Sequence, residues 1–163
     1  CPFRVVTRGT VRLASSSPYV HPLIDPNYFG DRRDLASLVR TMSVALRIAE
    51  SEFMAPFLQY APVSVPGCQM CPDKPTSQCY TYIICVAKTM TSTSYHPVGT
   101  CRMGNETSSN VVVDQRLRVL KVRKLRVVDA SIMPSIPNAN TNAATMMIGE
   151  RAVDFIRHDH QLW

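Results

Sequence analysis

The stretch from Ala61 to Gln78 constrains the fold more than any other part of the chain, because it cannot form continuous helix or sheet. It contains Pro62, Pro66, Pro72 and Pro75. Proline lacks a backbone N–H and has a fixed φ angle, so it is excluded from helix interiors and central strands. Apolar residues at helical spacing lie on both sides. The sequence therefore predicts a loop over residues 61–78 between two helices.

Both flanking segments carry helical signals. Asp31 is a capping residue with Asp34 three positions later, and apolar side chains then recur at helical spacing. These are Leu35, Leu38, Val39, Met42, Ala45, Leu46 and Ala49. A second, mainly apolar helix is predicted from about residue 79 to 92. A third is predicted to begin within NANTNAATMMIGERA, residues 138–152, and to end before His158.

Extended segments are predicted in three places. Residues 7–29 begin with a β-like run followed by Pro and Asp turn signals, which predicts a strand or two leading into an ordered loop. NVVVDQRLRV (110–119) and LRVVDASIMPSIP (125–137) are predicted to be two β segments separated by a short basic turn. Helices and strands together indicate an α+β chain.

Composition and charge narrow the class of protein. Of the 163 residues, 45% are hydrophobic and 18% charged, which is typical of a folded globular chain. The net charge is +6, but the basic cluster at 116–126 alternates with apolar residues and lacks interleaved aromatics, so nucleic-acid binding is not predicted. No apolar run is long enough to span a bilayer. The chain starts at Cys1 with no leader, and we expect it to be part of a longer protein.

The six cysteines leave several alternatives open. Cys68 and Cys71 have the spacing of half a zinc site, but no second CxxC or spaced histidine pair completes four ligands, so no metal site is predicted. A disulfide within the proline-containing loop fits better and favours an oxidising, extracellular or secreted setting. Cys85, on an apolar helix, is interpreted as a buried thiol, and the sequence does not determine which cysteines pair.

A histidine follows the second helix in SYHPVGTCRMG, residues 94–104. Pro97 keeps His96 out of helical geometry, so the imidazole lies on an extended or turning backbone. Histidine can act as a base near neutral pH, yet a loop histidine is often only a structural residue. Both interpretations stand on local grounds.

Polar residues crowd the start of the third helix. One asparagine would suffice as a cap, whereas Asn138, Asn140 and Asn142 surround Thr141. Such a segment can direct side-chain amides and helix N–H groups at a ligand that carries or develops negative charge. Upstream, Asp129 and Ala130 end a predicted strand, where either ligand contact or an ordinary Asx turn fits.

Taken together, these segments resemble the C-terminal region of the glucose-methanol-choline (GMC) family of FAD-dependent oxidoreductases. The similar pieces, in order and spacing, are RGTVRLASSSPYVHPLIDPNYF, YHPVGTCRMG, VVDQRLRV, LRVVDASIMPSIP and NANTNAATMMIGERAVDFI. They cover nearly the whole chain, and five pieces in register are highly specific. The VPGCQMC loop is similar to the insect glucose-dehydrogenase-like branch.

The resemblance implies roles for individual residues. His96 matches the family's active-site base, and Asn140, 44 positions later, matches the residue that hydrogen-bonds the substrate oxygen. Thr141 and Asn142 fall where the family's last helix meets the flavin. Asp129 and Ala130 match the stretch that contacts the FAD chain. The implied activity is oxidation of an alcohol or sugar CH–OH group, with oxygen or a quinone as electron acceptor.

The resemblance also implies a division of the chain. Residues 1–110 would be part of a substrate-binding domain, a largely antiparallel sheet with helices, and residues 111–163 the C-terminal return into the FAD-binding domain. The N-terminal FAD-binding half, with its GxGxxG turn, has no counterpart in this sequence. The isolated piece is therefore expected to bind FAD poorly and to be inactive.

The sequence departs from the family pattern at one turn, and two other functional interpretations are left open. Family members usually carry glycine in the turn before LRVVDAS, whereas this chain has Lys121–Lys124, which predicts a longer or strained turn. The first rival is a non-catalytic, disulfide-stabilised or metal-binding interaction module. The second is a basic RNA-binding domain.

Overall fold

A computed structural model describes residues 5–58, 61 and 63–162. The chain forms two compact units, one from Val6 to Thr93 and one beginning at Ser94. These units do not test the predicted division of the chain near residue 110 into parts of two larger domains, which stays a prediction. In the described part of the chain, no helix is both long and apolar enough to cross a membrane.

The first unit opens with a short antiparallel hairpin. Strand β1, Thr10–Arg12, pairs with β2, Leu23–Asp25, with Val11 opposite Ile24. This confirms the strand or two predicted within residues 7–29. Gly9 approaches the hairpin so closely that an added Cβ would lie 2.1 Å from the Asp25 carbonyl oxygen, so a side chain there would clash.

Helix α1, Arg32–Ala49, begins where the capping signal predicts. The Asp31 carboxylate accepts from the Arg33 side chain and from the Arg33 backbone N–H, which lowers the pKa of Asp31 to about 2. Asp34 does not complete a capping box. Its buried carboxylate accepts from the N–H groups of Val6 and Thr7 at 2.9 and 2.8 Å, so it ties the incoming segment to the helix.

Helix α2, Tyr80–Met90, follows one 3-10 turn and confirms the second predicted helix, with slightly shorter bounds. It packs on α1 around a small core of Val39, Cys79, Tyr82, Ile83 and Ala87. The loop before it is closed by two disulfides, Cys68–Cys85 and Cys71–Cys79. Cys85 is therefore a disulfide partner, and the buried-thiol alternative is wrong.

The second unit is built around helix α3, Thr141–His160, which continues past its predicted end before His158. Its core consists of Val113, Leu117, Ile132, Met133, Ile148 and Ala152. In place of the two predicted β segments, the described residues of 110–137 form isolated bridges: Arg118 with Arg126 joins the two segments, and Val113 with Val119 lies within the first. Leu117 has a positive φ of 65°, which interrupts the extended backbone before a continuous ladder can form.

The basic turn has no glycine, and two of its lysines adopt a left-handed backbone. Lys121 and Lys124 have φ angles of 63° and 60°. This left-handed region costs a residue with a Cβ roughly 1–2 kcal/mol. The predicted strain in this turn is therefore present.

Charged residues fasten the C-terminal end of α3. Asp159 pairs with the guanidinium groups of Arg116 and Arg126, and these hydrogen bonds hold the pKa of Asp159 far below its usual range. Arg116 also lies over the Phe155 ring, 5.1 Å from its centroid. Helix α3 is thus anchored by its apolar core and by ion pairs near its end.

Candidate active site

The loop after α2 brings His96 to the first turn of α3. His96 is half-buried, and its Nδ1 lies 3.0 Å from the Thr141 hydroxyl oxygen. The neighbouring Tyr95 has a φ of 61°, so the chain turns sharply just before the imidazole. Among the described residues, no hydrogen bond is recorded for Nε2 of His96. The contact with Thr141 therefore fixes one ring nitrogen of His96.

The loop that carries His96 is held by backbone hydrogen bonds further along. The N–H of Cys101 donates to the Ser131 carbonyl at 3.0 Å, and the N–H of Met103 donates to the Ile132 carbonyl at 2.7 Å. Ile132 belongs to the core beneath α3. The histidine loop and the Asp129–Ile132 turn are therefore parts of one framework.

The N-terminus of α3 has hydrogen-bonding groups that the helix itself does not use. Asn140 is the N-cap residue and is exposed, yet its side chain makes no capping hydrogen bond to the described backbone. Asn142 is also exposed. The first N–H groups of any helix lack intrahelical partners, and the helix dipole makes this end positive. The donors at Asn140, Asn142 and the helix terminus therefore suit an electron-rich ligand.

Thr141 differs from the two asparagines beside it. It is 8% exposed, and its hydroxyl is engaged with His96. This contact joins residues 45 positions apart, and no sequence pattern predicts it. A hydroxyl residue at the first position of a helix is too common to serve as a signal. No hydrogen bond is recorded between His96 and Asn140 within the described residues.

Asp129 caps a short 3-10 turn, Ala130–Ile132, by accepting from the N–H of Ser131 at 2.7 Å. Asp129 thus forms the Asx turn that the sequence allowed. Asp129 is exposed, and Ala130 is partly buried against the core of the second unit. The assignment of Asp129 and Ala130 to FAD stays a prediction.

Asp114 organises the backbone around Leu117. Burial raises the cost of its charge, but hydrogen bonds from the Arg118 N–H, the Arg118 side chain and the Arg116 N–H outweigh it and hold the pKa of Asp114 below its usual range. These bonds close the tight segment around Leu117, which packs in the core. Asp114 therefore supports the framework.

The donor set fits a flavin better than a metal ion. Amide and backbone N–H donors match the carbonyl-rich pyrimidine edge of an isoalloxazine ring, where negative charge appears on reduction. Within the described ranges, no group of three or more metal-ligating side chains occurs. The sulfurs of Cys68 and Cys71 are committed to disulfides.

A separate groove of about 750 Å³ lies in the first unit. It is lined by residues such as Arg47, Glu50, Lys74 and Tyr82. None of the predicted site residues lines it.

Comparison with known proteins gives an independent line of evidence. Residues 6–149 match the family profile described as GMC oxidoreductase. The chain is 37% identical to mitochondrial choline dehydrogenase of Homo sapiens, over 99% of the chain and 26% of that protein. It is 40% identical to an alcohol dehydrogenase [acceptor] of Pseudomonas putida, over 96% of the chain and 26% of that protein.

The chain is also similar in fold to a solved structure. A formate oxidase variant from Aspergillus oryzae RIB40, studied for the modification of its FAD, superimposes with a TM-score of 0.76. The two chains are 25% identical, and the match covers 96% of this chain and 26% of the oxidase. The chain thus spans about a quarter of the length of the relatives that it matches.

Proposed function

Because this chain belongs to the GMC oxidoreductase family, we propose that it is the C-terminal part of an FAD-dependent enzyme that oxidises a CH–OH group. The observation that carries the proposal is the position of His96 beside the first turn of α3, next to the exposed Asn140 and Asn142. Base, substrate donor and flavin donor would then lie within one short region.

His96 would start the reaction as a general base. Its Nε2 accepts the hydroxyl proton of the substrate, so that the C–H bond is broken from an alkoxide and a C=O bond forms. A neutral alcohol is a poor hydride donor, and a positioned base contributes roughly 10²–10⁴-fold. Asn140 would donate a hydrogen bond to the substrate oxygen as it gains charge. FAD, when bound, supplies the acceptor for the hydride.

The start of α3 would hold the cofactor. The Asn142 amide and the free N–H groups from Thr141 onward are donors on the positive end of the helix, and they suit the pyrimidine edge of the flavin. Asp129 and Ala130 would contact the FAD chain. The donors at this helix end would favour the reduced cofactor because they face its developing charge.

The substrate proposed is a small alcohol or a sugar, and the electron acceptor oxygen or a quinone. The relatives named choline dehydrogenase and alcohol dehydrogenase favour an alcohol. The remaining N-terminal half of an FAD-binding domain is the proposed partner within the same protein. Many large apolar side chains are exposed in the described chain, for example Met146, Met147 and Val153 of α3, and that half would cover some of them.

The test uses the full-length flavoprotein and the rate of anaerobic flavin reduction by choline, simple primary alcohols and glucose. We expect His96→Ala to lower the limiting rate by about a hundredfold or more while FAD content stays near wild type, because the imidazole acts on substrate. The matched control is His160→Ala, at the exposed end of α3. An unchanged rate in His96→Ala would show that His96 is only structural.

A further inference from the structure

We propose that Thr141 is a positioning residue for His96, and that its hydroxyl binds Nδ1 so that Nε2 is left unprotonated toward the substrate. The inference rests on the proposed function, in which His96 is the base. It assigns the Thr141 side chain to the base, and it leaves the Thr141 backbone N–H to the cofactor.

Thr141 lies on a more rigid element of the structure than His96 does. Thr141 is the first residue of α3, is 8% exposed, and its carbonyl accepts from the Thr145 hydroxyl at 2.8 Å. Two turns on, Ile148 lies in the core of the second unit. His96, by contrast, lies on a loop with no regular secondary structure. The helix is therefore the fixed element, and the 3.0 Å contact fixes the ring to it.

The contact with Thr141 also bears on which nitrogen of the His96 ring carries the proton. A hydroxyl can donate or accept a hydrogen bond, and the bond made by one imidazole nitrogen determines which nitrogen carries the proton. If Nδ1–H donates to the Thr141 oxygen, Nε2 keeps its lone pair and can take the substrate proton. After that transfer both nitrogens carry hydrogen, and the Thr141 oxygen can still accept. The same contact therefore serves both states without rotation of the ring.

Thr141 differs from its neighbours in exposure. Asn140 and Asn142 are exposed, whereas the Thr141 hydroxyl is turned inward and already bonded. Thr141 is only 8% exposed, which leaves little of its side chain for contact with a ligand. The buried position therefore favours support of the base over recognition of a ligand.

The kinetic test replaces the hydroxyl without changing the shape of the side chain. In the full-length holoenzyme, Thr141→Val should lower the limiting rate of flavin reduction by about tenfold or more, with little change in apparent substrate affinity, because a misplaced catalytic group slows the chemical step. Thr141→Ser retains the hydroxyl and should recover most of the rate. Thr41→Val is the matched control, since it removes a helical hydroxyl on α1 that bonds the Ser37 carbonyl and not His96.

A second measurement reads the proton position directly. In histidine-selective ¹⁵N-labelled full-length protein, with the His96 signals assigned by His96→Gln, we expect protonated Nδ1 and unprotonated Nε2 in the neutral ring. Thr141→Val should give a mixture of tautomers. This spectrum of the unsubstituted protein still decides the matter if Thr141→Val does not fold.

Two results would overturn the inference: a wild-type reduction rate in Thr141→Val, or a proton on Nε2 of neutral His96 in the unsubstituted protein. If His96→Ala itself reduces its flavin at the normal rate, the proposed function fails first. A normal rate in Thr141→Val together with a slow His96→Ala would refute the positioning role alone.

Discussion

The three asparagines at the start of α3 are all exposed. Asn140 caps the helix without a side-chain hydrogen bond to it, and Asn142 is exposed one residue beyond Thr141. Asn138 lies in the bend before the helix and is also exposed. Their side chains are thus free of the structural role that a single capping asparagine usually has.

We expect substitutions of these asparagines to separate substrate from cofactor. Asn140→Ala should mainly slow flavin reduction by alcohol, while Asn142→Ala should also change the reduction potential or FAD retention. A lost hydrogen bond to an atom that develops charge costs roughly 1.5–3 kcal/mol, so the effects should be about tenfold or more. Asn138→Gly or Asn138→Asp, in the same segment, serves as the control, because both residues suit a bend. Small, equal effects at all three positions would reduce the segment to a helix start.

Between α1 and α2, the cysteine loop owes its shape to covalent bonds. Cys68–Cys85 joins the loop to the middle of α2, and Cys71–Cys79 closes it at the start of that helix. Closing a loop of 17 residues restricts the unfolded chain and typically stabilises the fold by roughly 3 kcal/mol. We propose that the protein folds in an oxidising, extracellular or secreted setting, since such bonds persist there.

Peptide mapping under non-reducing conditions should show these two pairs and no other pairing among the four cysteines. Cys101 has a free thiol and is half-buried, so it should be alkylated once the protein is unfolded without reductant. Cys101→Ser should leave the destabilising effect of a reductant unchanged, because it takes part in neither bond. Full alkylation of Cys68 and Cys85 in protein isolated from its native source would rule out the oxidising setting.

Taken alone, the 163-residue chain is expected to retain little or no FAD and to oxidise no alcohol. The reason is that the sequence lacks the glycine-rich turn that holds the FAD diphosphate at a helix N-terminus. The measurement is the flavin absorbance of the purified chain after addition and removal of excess FAD, compared with the full-length protein treated in the same way. A yellow and active preparation of the short chain would contradict this expectation.

Local features were predictable because they depend on neighbours in sequence. A helix forms after Asp31, where apolar residues have helical spacing, in the apolar run before Met90, and after the polar start of α3. The turn residues before Asp25 accompany a hairpin. The order and spacing of the family-like pieces likewise predicted the family that the profile match shows. Capping and side-chain periodicity act over a few residues, so they are readable without the fold.

Only the tertiary structure determined which distant groups meet. The hydrogen bond between His96 and Thr141, the bonds from residues 6 and 7 to Asp34, and the pairing of Cys68 with Cys85 link residues far apart in the chain. The extended runs after residue 110 failed to become strands because Leu117 adopts a left-handed backbone while its side chain is buried in the core. Sequence spacing carries no information on such contacts, since they arise when burial of apolar side chains brings separate segments together and the polar groups between them must then find partners.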